Sequence, residues 1–428
     1  MNRTPPLDVA PSAARLTSSL RDIGYDFPTA IADLIDNSIV AGASHVDVDV
    51  DFDGPASTVT IADDGTGMTA NGLTEAMRFG TRRSYTASDL GRYGLGLKTA
   101  SMSQCRSLTV VTRRSATNRV ITRRTLDLDL IQQFDAWLLF HREATPAVKR
   151  ATARLSHGPG TVVVWEKLDR MLPGKDPGGG WARRRLSAHT QQLADHLGMI
   201  FHRYIEGRAG GHTLTITVNG EKVSPWNPFA PDEPHTRELP PQAFDIRVGD
   251  TAGQVRLLPH ILPARDKFSS PAEFDRMSGP ARWNRQQGIY VYRAGRLVQW
   301  GGWNGLRAID EHTKLARVAL EFDTDLDDAF HINVAKMRIT IPAELRRMLE
   351  RPIHELCNAA DDTYRNAAPT AAVDPGPVRR GAPTGVPAAA GLALRSAAME
   401  LGHSGALRQI VALLRERDPA LVHSLGLD

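Results

Sequence analysis

The sequence predicts an α+β protein with more than one domain. Alternating segments such as VDVDV (46–50) are typical of strands, whereas TAIADLIDNSIVAGA (29–43) has the apolar spacing of a helix. The 428 residues are 41% hydrophobic, which is enough for two or three domains with cores of their own. The glycine-rich segment GKDPGGG (174–180) is the best candidate for a boundary between domains.

The first predicted helix carries two polar residues on one face. Asp33 and Asn37 are four residues apart, so both side chains project from the same side. A carboxylate and an amide oxygen suit a hard divalent ion and a water molecule that must be oriented or deprotonated. A solvated polar stripe explains this segment alone equally well.

A predicted strand, Val59 to Ile61, is followed by the turn Asp63-Asp64-Gly65-Thr66-Gly67. Two glycines at this spacing permit a tight turn and a close approach of a ligand to the backbone. The Asp63 carboxylate can accept a hydrogen bond from an exocyclic amine, which would select adenine. By itself, the pattern is also that of an ordinary turn.

A glycine-rich loop then leads into a second predicted helix, LKTASMSQC (97–105). Gly91, Gly94 and Gly96 lie where free backbone N–H groups and the helix dipole can hold phosphates. Two competing patterns do not fit. A dinucleotide-binding fingerprint would need a strand before Gly91, but the residues there are polar. The Walker A pattern, GxxxxGK[ST], does not occur in the sequence.

Together and in this order, the three segments resemble the GHKL (Bergerat-fold) ATPases, most closely the MORC-like and MutL-type two-domain branch. The resemblance implies a Bergerat-type α/β sandwich that binds ATP. It implies that Asp33 is the catalytic base and that Asn37 holds Mg²⁺. The family's usual base is Glu, so Asp33 predicts slow hydrolysis.

The resemblance also assigns the residues that contact the nucleotide. Asp63 would contact the adenine amine, and the turn and the glycine-rich loop would surround the rest of ATP (Gly65, Gly67, Met68, Gly91, Tyr93, Gly94, Leu95, Gly96, Leu97 and Lys98). HGPGTVVVWEKLD (157–169) resembles the late strand whose Thr161 reaches adenine through water. AFHINVAKMRITIP (329–342) resembles the loop that sends Lys336 to the terminal phosphate as a catalytic residue. Without the resemblance, these two residues would be a strand start and a solvated surface lysine.

The predicted domains are an ATP-binding domain with a lid (1–180), a transducer-like α/β domain (181–366), a flexible linker (367–391) and a helical tail (392–428). Further strands are expected at 108–112, 120–122 and 162–164, and a helix at 187–205. Asn219-Gly220 and Ala294-Gly295 are expected to turn two hairpins.

Composition predicts a cytoplasmic protein that does not enter a membrane. Two cysteines are too few for a disulfide framework, and neither a long apolar run nor a signal peptide is visible. The net charge of +4 arises largely from arginine doublets, which could attract nucleic acid or be scattered solvated residues.

The expected function is that of a Mg-ATP-dependent homodimeric clamp, with DNA as its partner and, in a MORC-like role, defence against foreign DNA. The C-terminal helices are expected to dock either on this protein itself or on a partner protein. Two other functions remain open: a chaperone-like ATPase that acts on protein clients, and a regulatory module that binds ATP without hydrolysing it. A histidine kinase is the weakest alternative, because no phospho-acceptor helix precedes the pocket.

Overall fold

The computed structural model describes residues 11–22, 24–80, 94–115, 117, 119–174, 176–249, 251–332, 339–366, 404–417 and 422. It comprises two units, Met1–Ala367 and Ala368–Asp428. The first unit contains two mixed β-sheets with helices packed on them, which confirms the predicted α+β class. In the second unit the structure describes one helix of fourteen residues and the single residue 422.

The described helices are α1 (Ala13–Leu20), α2 (Phe27–Val40), α3 (Ala70–Ala76), α4 (Gly96–Gln104), α5 (Leu128–Phe134), α6 (Pro146–Arg154), α7 (Gly180–Ile200), α8 (His202–Ile205), α9 (Pro271–Met277), α10 (Arg282–Gln286), α11 (Ala343–Arg365) and α12 (Ser404–Arg417). The strands are β1 (His45–Asp51), β2 (Thr58–Asp63), β3 (Ser107–Arg113), β4 (Thr122–Asp127), β5 (Gly160–Glu166), β6 (Thr215–Val218), β7 (Glu221–Lys222), β8 (Arg237–Glu238), β9 (Gln242–Val248), β10 (Thr251–Ile261), β11 (Gly288–Arg293), β12 (Arg296–Gln299) and β13 (Ala316–Phe322). None of the described helices is both long enough and apolar enough to span a bilayer.

Within the described residues, the first sheet has seven strands in the order β4-β3-β5-β2-β1-β6-β7. All neighbours are antiparallel except β1 and β6, which run parallel. Successive side chains of a strand point to opposite faces. Ile61 therefore packs into the core beneath α2, α4 and α7, whereas Ala62 packs with α6 on the other face.

The second sheet follows the order β12-β11-β13-β10-β8, and β9 also pairs with β10. Its core lies under α11, where Leu345, Leu349 and Ile353 are buried. Tyr290 and Tyr292 of β11 instead belong to the core of the first sheet. One face of the second sheet therefore packs on the first core, while its other face has a core of its own.

One predicted strand differs in position from the structure. The strand predicted at 120–122 is wrong in position, because β4 covers 122–127 and pairs Thr122 with Thr112 of β3. The domain boundaries remain predictions, but β6 and β7 lie beyond residue 180 and still extend the first sheet. Both predicted hairpin turns are confirmed: Asn219-Gly220 and Ala294-Gly295 have positive φ angles throughout.

Candidate nucleotide site

Helix α2 carries the first candidate residues. Asp26 caps its start by accepting a hydrogen bond from the Thr29 N–H at 2.9 Å, and apolar residues such as Ile31 and Ile35 anchor the helix in the core. Asp33 is 3% exposed, whereas Asn37, one turn later, is exposed. The helix therefore holds a carboxylate inside the protein and an amide at the surface on the same face.

The Asp33 carboxylate lies between a phenol and a helix start. The Tyr25 hydroxyl donates a hydrogen bond to Asp33 Oδ2 at 2.8 Å. A Cβ atom on Gly96, the first residue of α4, would lie 3.0 Å from the same oxygen. Burial raises the pKa of Tyr25, and the Asp33 charge adds to the rise, so the phenol stays protonated and donates. Asp33 is thus oriented toward the first turn of α4.

Asp63 lies at the end of β2 with both oxygens engaged. Oδ1 accepts from the backbone N–H groups of Gly65 at 3.0 Å and Thr161 at 3.2 Å, and Oδ2 accepts from Ser38 Oγ at 3.0 Å. Burial raises the pKa of Asp63 to about 6, against these hydrogen bonds. Because a carboxylate offers about four acceptor sites, three bonds leave it able to accept one more.

The turn after Asp63 requires glycine at positions 65 and 67. A Cβ on Gly65 would lie 2.8 Å from the Ala41 Cβ atom. Gly67 has φ +61°, and a Cβ there would lie 2.1 Å from the Arg113 carbonyl oxygen. The Met68 N–H then donates to Thr112 Oγ1 at 2.8 Å. The turn is thereby seated against α2 and β3.

Thr161 lies beside Asp63, because β2 and β5 pair these two residues in register. The Thr161 hydroxyl oxygen lies 3.2 Å from the Thr112 hydroxyl oxygen. The Thr112 hydroxyl also donates a hydrogen bond to the Gly160 carbonyl at 3.0 Å. Gly160 has φ +147°, and a Cβ there would lie 2.1 Å from the Asp63 carbonyl oxygen. The structure thus brings Thr161 to the predicted turn.

Lys98 is buried, and its ammonium is bound by backbone carbonyls. Its ammonium donates to the Ala76 carbonyl at 2.8 Å and to the Gly94 carbonyl, and burial lowers its pKa to about 8. Leu97 packs against the first core, while Leu95 precedes α4 and is half-buried. Contact of Lys98 with phosphate remains a prediction. Gly91, Tyr93 and Lys336 lie outside the described residues.

Comparison with known proteins agrees with this geometry. Residues 25–158 match the family described as histidine kinase-, DNA gyrase B-, and HSP90-like ATPase. These residues belong to the GHKL ATPase superfamily. The DNA mismatch repair protein MutL of Shewanella baltica (strain OS195) is 27% identical over 213 residues, which are 49% of this chain and 30% of that protein. The chain therefore matches less than a third of the length of this relative, and the match supports the predicted MutL-like relationship.

Three residues of the GHKL site were not among the predicted site residues. Tyr25 orients Asp33, Ser38 donates to Asp63, and Thr112 joins the glycine turn to β5. Ser38 follows Asn37 directly, so its position in the helix motif was a usable signal. Tyr25 and Thr112 carry no local signal, because only the tertiary fold brings them to their partners.

The GHKL site fits a Mg²⁺ ion that takes one ligand from the protein and its other ligands from phosphates and water. Within the part of the chain that the structure describes, no three His, Cys, Asp or Glu residues cluster as a metal cage. Mg²⁺ is commonly held by one or two protein oxygens together with substrate phosphates and water. Asn37 is exposed and carries an amide oxygen, which is compatible with that role.

Proposed function

We propose that this protein is a magnesium-dependent ATPase that acts as a nucleotide-driven dimeric clamp on DNA. One observation carries the ATPase part. The Asp33 carboxylate is buried, held by Tyr25 at 2.8 Å, and directed at the start of α4, on the same helix face as Asn37. This is a suitable arrangement for a base that faces a phosphate-binding helix N-terminus.

Each element of the site has a proposed role. The free acceptor capacity of Asp63 receives the adenine amine, with Thr161 beside it. The N-terminal turn of α4 binds phosphate oxygens. Asn37 holds Mg²⁺, which when bound neutralises phosphate charge. Asp33 orients or deprotonates the attacking water.

The remaining assignments rest on the resemblance. Gly91 and Tyr93 would complete the phosphate loop, and Lys336 would neutralise the terminal phosphate. The shorter reach of Asp33 compared with the usual Glu supports slow turnover. It also favours a second candidate, a module that binds ATP and changes shape without hydrolysing it.

The clamp, and DNA as its partner, are supported by the similarity to a DNA mismatch repair protein across 49% of this chain. The arginine-rich composition, with a net charge of +4, is compatible with salt-sensitive attraction to a phosphate backbone. A MORC-like role in defence against foreign DNA, and a partner protein bound through α12, belong to the same proposal. A chaperone-like ATPase would share the site but act on protein clients.

Turnover measurements test the chemistry. We expect steady-state ATP hydrolysis by the wild type, a loss of roughly a hundredfold or more in Asp33→Ala, and weakened Mg-ATP binding in Asn37→Ala. Asp49→Asn, on the outer side of β1, is the matched control and should hydrolyse ATP as the wild type does. Wild-type turnover no higher than that of Asp33→Ala would eliminate the ATPase and leave the binding module.

Size-exclusion chromatography with a non-hydrolysable ATP analogue tests the clamp. We expect the analogue to convert monomer into dimer, and DNA to co-elute with the dimer at low salt but not at high salt. A monomer under all conditions would contradict the clamp. ATP turnover stimulated by an unfolded protein client, but not by DNA, would support the chaperone-like alternative.

A further inference from the structure

A buried ion pair joins the nucleotide-site helix to the second sheet. Arg296 Nε on β12 lies 2.8 Å from Asp36 Oδ1 on α2, and the two side chains are 3% and 1% exposed. The atoms are close without the alignment of a hydrogen bond, so the attraction is mainly electrostatic. Apolar replacement of a buried pair is often neutral or stabilising, so stability alone does not explain such a contact.

Because Asp36 is on α2, the ion pair can affect the positions of the site residues on the same helix. Residues of an α-helix are about 100° apart around its axis, so Asp36 lies about 60° from Asp33 and about 100° from Asn37. A rotation of α2 that moves the Asp36 carboxylate would therefore also move the two site residues. The Arg296 charge also lowers the pKa of Tyr25, against the larger effect of burial, so it lies within electrostatic reach of the phenol that holds Asp33.

The hairpin that presents Arg296 is itself fixed in place. Arg293 pairs with Arg296 across the β11–β12 hairpin and binds Asp327 through two hydrogen bonds of 2.6 Å. At the turn, the Tyr204 hydroxyl donates to the Ala294 carbonyl at 2.8 Å. The backbone that carries Arg296 is therefore held by the second sheet and by Tyr204 of α8.

We propose that Arg296 is a positioning residue: through Asp36 it sets the rotation of α2, and it thereby couples the second sheet to the placement of Asp33 and Asn37. This inference rests on the proposed ATPase function. It adds to that function a specific link between the two sheets, in which Arg293 and Asp327 anchor the hairpin.

The double variant Asp36→Leu/Arg296→Met removes both charges together and avoids leaving one of them buried alone. We expect it to fold, since apolar residues of similar size often replace such pairs without loss. Its kcat should fall roughly tenfold to hundredfold, because small displacements of catalytic groups are costly. The KM for ATP should rise by a smaller factor than kcat falls, because the adenine contact at Asp63 is on β2 and only the contact of Asn37 with Mg²⁺ moves with α2. The variant Arg296→Lys keeps the charge and should recover part of the lost kcat.

Hydrogen exchange gives a readout that does not depend on turnover. Without nucleotide, we expect the amides of residues 27–40 to exchange faster in the double variant than in the wild type, with α11 unchanged. Leu349→Ala, in the core under α11, is the control for general destabilisation and should leave kcat unchanged at a temperature where it is folded.

A folded double variant with wild-type kcat and wild-type exchange in α2 would overturn the inference. If the wild type does not hydrolyse ATP, the proposed function fails, and the exchange measurement alone decides whether Arg296 positions α2.

Discussion

Replacement of Asp63 by asparagine should produce a protein that is more stable yet binds ATP poorly. The substitution keeps the shape of the side chain. Its carbonyl oxygen can still accept from the Gly65 and Thr161 N–H groups, and its amide can donate to Ser38 Oγ. Only the negative charge and the remaining acceptor are lost, so stability and binding should change in opposite directions.

The expected gain in stability follows from the pKa. Folding raises the pKa of Asp63 from 3.8 to about 6, so the fold disfavours the ionised form. A rise of this size corresponds to about 3 kcal/mol, a cost that is absent below pH 4, grows between pH 4 and 6, and is complete above pH 6. The Asp63→Asn variant removes this cost but carries its own burial penalty, so we expect a gain of about 1–3 kcal/mol at pH 8.

The expected loss in binding follows from the adenine contact. A hydrogen bond to a charged acceptor contributes about 1.5–3 kcal/mol, so the affinity for ATP should fall about tenfold to a hundredfold. Urea unfolding without nucleotide and titration calorimetry with ATP measure the two effects. The stability difference from the wild type should shrink as the pH is lowered from 6 to 4, because the wild-type carboxyl then takes up a proton.

Asp64→Asn is the neighbouring control. Despite partial burial, hydrogen bonds from Ser44 and His45 hold the pKa of Asp64 below its usual range, so this substitution should not stabilise the protein. The reasoning is refuted if Asp63→Asn unfolds more easily than the wild type at pH 8, or if it binds ATP equally well.

Three further outcomes are expected. Gly67→Ala should lower the free energy of unfolding by roughly 3 kcal/mol in thermal melts, because it combines a left-handed φ with a backbone clash. Gly158→Ala, with open space around it, should change stability by less than about 1 kcal/mol, and equal losses in the two would contradict this account. Tyr25→Phe should lower kcat about tenfold in a steady-state ATPase assay by releasing Asp33, and an unchanged kcat would show that the phenol is dispensable. Folding lowers the pKa of Lys98 from 10.5 to about 8, so the unfolded chain holds the extra proton between these values and stability rises with pH there. Between pH 7.5 and 9.5, the wild type should gain about 2 kcal/mol relative to Lys98→Met in urea unfolding, and parallel pH profiles would refute this.

The elements with a local signal were predictable from the sequence. Helix α2 has helical apolar spacing, β1 alternates, and the glycines at 65 and 67 mark the turn that the structure seats against Ala41 and Arg113. Such features depend on residues that are neighbours in the chain, and the order of the three segments then indicated the superfamily.

The rest of the site depends on contacts that no local pattern reveals. Tyr25 contacts Asp33 from the segment before α2, and Arg296 reaches Asp36 from the second sheet. The Lys98 ammonium donates to the Ala76 carbonyl at the end of α3, a contact that the sequence did not indicate. These positions are set by contacts between residues that are far apart in the chain. Such contacts leave no periodic pattern in a single sequence.

The packing of one face of the second sheet on the first core limits how short a piece of the chain can be and still contain a native site. A fragment ending at residue 180 would lose β6, the parallel neighbour of β1, and would uncover apolar surface that Tyr290 and Tyr292 now protect from water. Calorimetry on the first unit should therefore show one melting transition for both sheets. ATP added before the scan should raise the temperature of that single transition. A ligand bound beside one sheet would then stabilise the other sheet as well.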